Sequence, residues 1–446
     1  MVKILRGFAR LWRLNALNAL QEVNIGFLGF GNIGTGVYRI IEKNGKAAFE
    51  REGFKVKIKK ILVRDINKKR KIDVDRGLLT NNIKDIIEDP EISLVAEFIG
   101  GEEPASQYIL EALENRKTVV TANKEVMARH WVELENAARK NGVGLYYEAS
   151  VAGGIPIIKV IRESLQANNI CKIMGIINGT TNYILTKMSE EGRSFKDVLL
   201  EAQRLGYAEP DPTFDIEGLD AMFKLSILST LAFHSRICTD KIYTEGITGI
   251  TIDDINYGKE LGYAIRLLAI AIKHGNGIEA RVHPTFIPAN HPLASVRDSY
   301  NGIFIRGDAV GDLMLYGRGA GDLPTGSAIV SDIVSACVNK YRHTYSTISN
   351  GSQVTDNAWV NDNWETEFFI RMTVKDKPGV LAKIAGIFGK HEVSIASVIQ
   401  KGRNGDSTPI IFVTHKAKEL SMKKAIEDMK NEPVVMRVDN VIRVES

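Results

Sequence analysis

The period of apolar residues changes along the chain, and each change predicts a different architecture. In the first third, short apolar runs alternate with helical stretches. Val23 to Leu28 (VNIGFL) has a buried-strand pattern, Thr35 to Lys43 a helical one, and Lys55 to Val63 (KVKIKKILV) alternates apolar with basic residues as a half-exposed strand does. Leu94 to Ile99, Thr118 to Thr121 and Val143 to Glu148 are further strand-like runs, and Glu125 to Asn141 keeps helical spacing up to Gly142. Strands alternating with helices predict a parallel, doubly wound sheet.

Beyond about residue 150 the pattern shifts. Asn168 to Ile177 is strand-like, Phe195 to Leu205 helical, and Leu219 to Phe233 a longer apolar helix. Tyr263 to Ile272 and Ile278 to Ile287 suggest a helix and then a strand, within a second α/β domain carrying its own sheet. That domain ends near Leu315, where Gly317 to Gly326 (GRGAGDLPTG) leads into a helix. Tyr345 to Asn363, rich in Ser, Asn, Asp and Thr, is a linker. After it, Glu367 to Val374, Ser394 to Gln400, Thr408 to Thr414 and Val434 to Val444 are strands, with helices at Gly379 to Lys390 and Leu420 to Asn431. Together they predict a βαββαβ module.

Composition narrows the function class. The 446 residues are 44% hydrophobic and 25% charged, with 58 Lys and Arg against 54 Asp and Glu. A net charge of +4 with interspersed signs argues against a nucleic-acid partner. No run of about 18 apolar residues occurs, so no membrane span is expected. Cys171, Cys238 and Cys337 lie far apart without metal-ligand spacing and read as buried thiols of a reducing, cytoplasmic compartment. Residues 1–20 are basic, apolar and free of acids. They read either as a plain extension ahead of the first strand or as an amphipathic or transit-like segment.

Several segments carry chemistry. Gly29-Phe30-Gly31-Asn32-Ile33-Gly34 is a GxGxxG between a strand and a helix, the arrangement that sets a pyrophosphate on a helix N-terminus. At the end of the second strand stands Arg64, suited to the 2′-phosphate of NADP; Asp65 beside it keeps NAD open, and a solvated surface pair is the plain alternative. Lys124 follows a strand end, where open α/β sheets bind ligands, or else simply begins a surface helix. Glu148 to Pro156 leaves another strand end, with small residues that let carbonyls face a ligand or ion, or merely form a turn. The densest segment is Gly206 to Lys224, where Glu209, Asp211, Asp215 and Glu217 crowd a loop before an apolar helix. Asp220 and Lys224 follow at i and i+4 on one face, an ion pair that either supports the helix or holds a lysine for proton exchange.

Together these motifs resemble homoserine dehydrogenase from about Val23 to the C-terminus. The residues that carry the likeness are FGNIGTG (Phe30 to Gly36), TANK (Thr121 to Lys124), YEASVAGGIP (Tyr147 to Pro156), NGTTNYI (Asn178 to Ile184), GYAEPDP (Gly206 to Pro212), DIEGLDAMFK (Asp215 to Lys224) and GRGAGDLPTGSAIVSDI (Gly317 to Ile333). The resemblance implies interconversion of L-homoserine and L-aspartate 4-semialdehyde with NADP or NAD. It makes Lys224 the proton donor and acceptor. Glu209 and Asp220, with Asp215, Gly179 and Thr180 nearby, would bind substrate, and Lys124 would contact nicotinamide and substrate. Gly100 and Gly321 join the glycine loop at the cofactor, and Na+ or another monovalent cation falls on Glu148, Val151, Gly153 and Ile155. The C-terminal module resembles an ACT domain, whose turn at Asp376, Gly379, Val380 and Leu381 would take an amino-acid effector, threonine, unless the module serves only oligomerisation.

The implied organisation is an extension (1–21), a Rossmann-type nucleotide domain (22–147, completed by 317–344), a catalytic and dimerisation domain (148–316), a linker (345–366) and the ACT domain (367–446). A homodimer or homotetramer is expected. No kinase segment precedes Val23, which argues against an aspartokinase fusion. A dehydrogenase of another amino-acid alcohol should lack the combination Glu209, Asp220 and Lys224; an NADP- and amino-acid-sensing regulator on a dead scaffold should have lost the lysine or its carboxylate.

Overall fold

The computed structural model describes residues 20–275, 277–342, 359–401 and 406–445; residues 1–19 of the extension and 345–358 of the linker lie outside the described residues. The chain divides into two compact units, Met1–Gln166 with Arg318–Val354, and Ala167–Gly317 with Thr355–Ser446.

In the first unit, β1 (Gln21–Leu28), β2 (Phe54–Leu62), β3 (Leu79–Thr80), β4 (Ile92–Glu97), β5 (Thr118–Thr121) and β6 (Leu145–Tyr146) form one sheet in the order β3-β2-β1-β4-β5-β6. All its pairings are parallel. The order reverses between β1 and β4, so their carboxyl ends open the crevice in which such sheets hold ligands. The core joins Ile25 and Phe27 of β1 to Val37 of the helix Asn32–Ile40 and to Ile329 and Ile333 of the helix Asp322–Arg342. These two helices meet at glycine: a Cβ on Gly36 would stand 2.3 Å from the Asp322 carbonyl oxygen, closer than any side chain tolerates. The late helix thus returns to this sheet because Gly36 leaves it room.

The second unit holds β7 (Ile170–Ile176), β8 (Tyr263–His274), β9 (Gly277–Pro288), β10 (Tyr300–Gly307), β11 (Gly311–Arg318), β12 (Glu365–Lys375), β13 (Ile395–Gln400), β14 (Ser407–Thr414) and β15 (Val435–Val444). Among the described residues they run as one sheet, β11-β10-β7-β8-β9-β15-β12-β14-β13. The free edge of β9 is covered in three parallel instalments: Trp359–Val360 beside Gly277 and Ile278, Tyr243–Thr244 beside Arg281 and Val282, and Arg443 and Val444 of β15 beside Thr285 and Phe286.

Two elements differ from expectation. Tyr263 to Ile272, read as a helix, is most of β8. Its neighbours Leu267 and Leu268 are both buried, at 3% and 0% exposure, because both faces of the strand are covered. A doubly buried strand shows no alternation, and its apolar run cannot be told from a helix by period alone. The catalytic domain also has no sheet of its own, since the βαββαβ module continues it through β15. Buried arginines fix that module: Arg371 on β12 donates to Asp254 at 2.7 Å, and Arg443 on β15 donates to Glu419, Glu245 and the Tyr243 hydroxyl. Breaking such a buried pair from one side costs about 3–5 kcal/mol. Of the three thiols, Cys337 is buried but Cys238 is exposed. Among the described residues, no helix is long and apolar enough to cross a membrane.

Candidate active site

The carboxyl ends of β1, β4 and β5 carry the first group of expected residues. Gly29 leaves β1 at φ +99°, where an L side chain is strained, and a Cβ there would press on the Phe98 carbonyl at 3.1 Å. The helix Asn32–Ile40 then starts on Gly31 with no side chain capping its first turn, and nothing lies within 4 Å of where a Gly31 Cβ would stand. Uncapped N–H groups beside open space, flanked by Phe30, Asn32, Ile33 and Gly34, suit a pyrophosphate. Gly321, at φ +125°, immediately precedes the helix that packs on Gly36 and so belongs to the same region.

Arg64 is exposed just past β2. The Asp65 carboxylate is engaged locally, accepting the Asn67 N–H at 2.8 Å. Lys71, which the sequence did not single out, donates to the Asn32 carboxamide oxygen at 3.0 Å and brings a second cation to the glycine loop. Gly100 follows β4 at φ +74°. Lys124 opens the helix Lys124–Asn141, whose N-cap Asn123 accepts the Val126 N–H at 3.1 Å. That cap settles where the helix begins and therefore where Lys124 stands.

Glu148 has a different surrounding from the one expected of a cation ligand. It is buried, and its two oxygens accept the N–H groups of Ile158 and Lys159, each at 2.8 Å, capping the next helical turn. Burial first, and the nearby Asp332 charge second, push its carboxyl up to about 7. Ile155 also gives its carbonyl to the Ile157 N–H at 2.8 Å. Val151 and Gly153 lie in the same turn, where a Cβ on Gly153 would stand 2.5 Å from the Gly319 carbonyl. Among the described residues, no group of three or more His, Cys, Asp or Glu side chains gathers to hold a metal ion.

The second unit holds a compact polar cluster beneath an apolar helix. Leu219–Phe233 is buried along nearly its whole length, including Leu225, Ile227 and Leu228, each stabilising by about 1.5–3 kcal/mol. At its start, Lys224 donates to the Asp220 carboxylate at 2.7 Å and to the Ile177 carbonyl, just past β7, at 2.9 Å. Asn178 joins the two acids, donating to Asp215 at 2.7 Å and to Asp220 at 2.9 Å, while its oxygen caps the helix Gly179–Glu191 through the Thr181 N–H at 2.8 Å. Thr180 donates to the other Asp215 oxygen at 3.0 Å. Burial, then the Asp220 charge, raise the Asp215 carboxyl above its ordinary value. An ammonium has three donors; Asp220 and Ile177 take two, and one remains for a ligand oxygen.

Of the expected substrate residues, Asp215, Asp220, Lys224 and Thr180 come together directly. Gly179 sits between the two donors, with room for no Cβ beside the Ser299 carbonyl at 2.9 Å. Glu209 is exposed, and among the described residues its carboxylate makes no hydrogen bond or ion pair; only its main-chain carbonyl is held, by Gln203 at 3.1 Å. In the C-terminal module, Gly379 begins the helix Val380–Lys390 without a side-chain cap, Asp376 donates its N–H to the Asp406 carbonyl at 2.9 Å, and Leu381 is 44% exposed.

The sequence reading missed Glu97. It is wholly buried at the end of β4 and accepts the Ile99 N–H and the Thr121 hydroxyl, both at 2.5 Å. A lone acid inside the apolar run Leu94 to Ile99 was the available signal.

Comparison with known proteins agrees along the chain. Residues 29–148 match the family described as homoserine dehydrogenase, NAD binding domain, residues 156–334 that described as homoserine dehydrogenase, and residues 368–434 the ACT domain. The homoserine dehydrogenase of Bacillus subtilis is 40% identical over 96% of this chain and 99% of its own, and that of Corynebacterium glutamicum 43% identical over 95% and 96%. Among solved structures, a homoserine dehydrogenase from Thiobacillus denitrificans superposes with a TM-score of 0.89 at 40% identity, covering 96% of this chain and 99% of that one. A hyperthermophilic archaeal homoserine dehydrogenase in complex with NADPH gives 0.61 at 28% identity, over 72% and 98%.

Proposed function

The chain belongs to the homoserine dehydrogenase family, and on that premise we propose how its residues divide the work of an oxidoreductase acting on the CH–OH group of L-homoserine. The reaction interconverts L-homoserine and L-aspartate 4-semialdehyde with a nicotinamide cofactor. When bound, the cofactor takes or returns a hydride.

Lys224 moves the proton of the substrate hydroxyl, the role that its remaining donor position supports. Asp220 and the Ile177 carbonyl hold its ammonium in one orientation, so little rearrangement is left for the proton step. Asp215, Asn178, Gly179 and Thr180 frame the substrate, and Glu209 supplies a carboxylate for its ammonium group. The observation that carries this reading is the hydrogen-bonded chain Lys224–Asp220–Asn178–Asp215.

The cofactor site comprises the loop Gly29 to Gly34 with Gly100, Lys124, Gly321 and Arg64. NADP is the preferred form in this reading. Supporting it, Arg64 is exposed just past β2, Lys71 stands beside Asn32, and the Asp65 carboxylate accepts the Asn67 N–H of its own turn; a relative solved with NADPH agrees with it. Arg64→Ala should weaken NADP about tenfold, or about 1.4 kcal/mol, and leave NAD nearly unchanged in equilibrium titrations. An equal loss for both cofactors would remove the 2′-phosphate assignment.

A monovalent cation at Glu148, Val151, Gly153 and Ile155 would rest mainly on main-chain carbonyls, because each oxygen of the Glu148 carboxylate already accepts an N–H from the next helical turn. The functional division 22–147 with 317–344, 148–316 and 367–446, a homodimer or homotetramer, and a cytoplasmic location belong to the same reading. So does threonine as effector at Asp376, Gly379, Val380 and Leu381 of the ACT domain.

The test is absorbance at the reduced-nicotinamide band with NADP, with and without homoserine, then with threonine added. Reduction that requires homoserine and slows several-fold with threonine is expected. Reduction unaffected by threonine would leave the module to assembly alone, and no reduction by folded, NADP-binding protein would remove the assignment of Lys224.

A further inference from the structure

Glu97 has no part in the proton chemistry, yet it is a fully buried carboxylate at the point where the sheet order reverses. Burying an ionised carboxylate costs several kcal/mol unless donors replace the lost water. Here burial raises the carboxyl above its ordinary value, and only neutral donors face it. One oxygen accepts the Ile99 N–H at 2.5 Å and, more weakly, the Gly100 N–H at 3.4 Å; the other accepts the Thr121 hydroxyl at 2.5 Å. Glu97 and Thr121 are register partners on β4 and β5.

The bonds continue beyond this pair. The Thr121 hydroxyl oxygen accepts the Asn123 N–H at 2.9 Å, and the Asn123 carboxamide donates to the Gly101 carbonyl at 2.7 Å. The same Asn123 caps the helix that starts at Lys124. The ring therefore closes from Glu97 through Thr121 and Asn123 to the Gly100–Gly101 turn and back to Glu97. That turn has two consecutive positive φ values, +74° and +75°, so it lacks the stiffness a side chain would give.

We propose that Glu97 is a positioning residue that clamps the Gly100–Gly101 turn and the Thr121–Lys124 turn into one rigid rim for the nicotinamide end of the cofactor. The proposal rests on the cofactor site described above. A sheet residue needed only for packing at this place would be apolar, like Val95 and Ala96 before it. A carboxylate is required because it alone accepts from both turns at once, and an amide in its place turns one acceptor into a donor aimed at Thr121.

The test compares Glu97→Gln, Thr121→Val and Thr121→Ser with the parent chain. NADPH affinity is read by nucleotide fluorescence, amide exchange over residues 98–102 by mass spectrometry, and turnover with homoserine by absorbance. Glu97→Gln and Thr121→Val are expected to weaken NADPH about tenfold each and to speed exchange over 98–102, with the homoserine KM within about twofold of the parent. Thr121→Ser, which keeps the hydroxyl, should restore both readouts. If Glu97→Gln is too unstable to study, Thr121→Val removes one donor only and carries the test by itself. Parent-like NADPH affinity and turnover in both variants, even with a lowered Tm, would overturn the clamp and leave a structural role. A parent chain that binds NADPH but does not oxidise homoserine would fail the proposed reaction, while the titration and exchange would still decide the clamp.

Discussion

Lys224→Ala lowers kcat for homoserine oxidation by about 10²–10⁴-fold, the usual worth of a positioned proton-transfer group, and leaves the Kd for NADP within about twofold. The affinity half of this expectation follows from the division of roles: the pyrophosphate is assigned to the glycine loop and Lys224 to the substrate hydroxyl. Truncation also removes the cation paired with Asp220, which is 4% exposed, so some loss of stability accompanies it. Asn178 still donates to Asp220 at 2.9 Å and limits that loss. Lys224→Arg separates the two effects. It restores a cation to Asp220, yet a planar guanidinium cannot reproduce the ammonium's geometry at the Ile177 carbonyl and a substrate oxygen together. Folded Lys224→Arg protein should therefore remain almost inactive. Turnover close to the parent in either variant, measured by single-turnover absorbance, would show that another group handles the proton.

Gly29→Val should raise the Kd for NADP more than about 100-fold, a loss of nearly 3 kcal/mol, with a smaller fall in Tm. Two costs combine. Valine is β-branched and strongly disfavours φ +99°, and its Cβ would meet the Phe98 carbonyl oxygen and carbon at 3.1 and 3.2 Å. Relief requires β1 and β4 to separate at their carboxyl ends or the turn to roll away from the helix it feeds, and either moves the uncapped N–H groups off the pyrophosphate. Titration of NADPH fluorescence reads the loss directly. An unchanged Kd would mean that the first turn of Asn32–Ile40 does not hold the pyrophosphate.

Local features were legible before the fold was known. Gly29 to Gly34 and the Asp220–Lys224 pair each declare themselves over a few residues, because a strand–turn–helix junction and an i,i+4 face are short-range geometry. Thr118–Thr121 and Leu219–Phe233 begin and end where the pattern sets them. Relations between distant segments were not legible. Asn178 bridges Asp215 and Asp220 across some forty positions, and only the packing of β7 and the helix beside it brings them into reach. Glu97 was hidden in a strand read simply as apolar, and its partner Thr121 became visible only when β4 and β5 paired. β8 failed for the opposite reason, since a strand covered on both faces carries no period-two signal.

The three-part covering of the β9 edge bears on how the chain is made. Tyr243–Thr244 has already been synthesised when β9 emerges, but Trp359–Val360 and then Arg443–Val444 come only later. At about 5–20 residues per second, the interval between Pro288 and Arg443 is on the order of ten seconds. Through that time a twelve-residue strand, in which Ile278, Ala280 and Val282 alternate with Glu279, Arg281 and His283, has part of its hydrogen-bonding edge open, the kind of template that recruits foreign strands. The nascent second unit thus stays open to such pairing until the chain is nearly finished, and a product clipped short of Arg443 keeps that vulnerability for its lifetime.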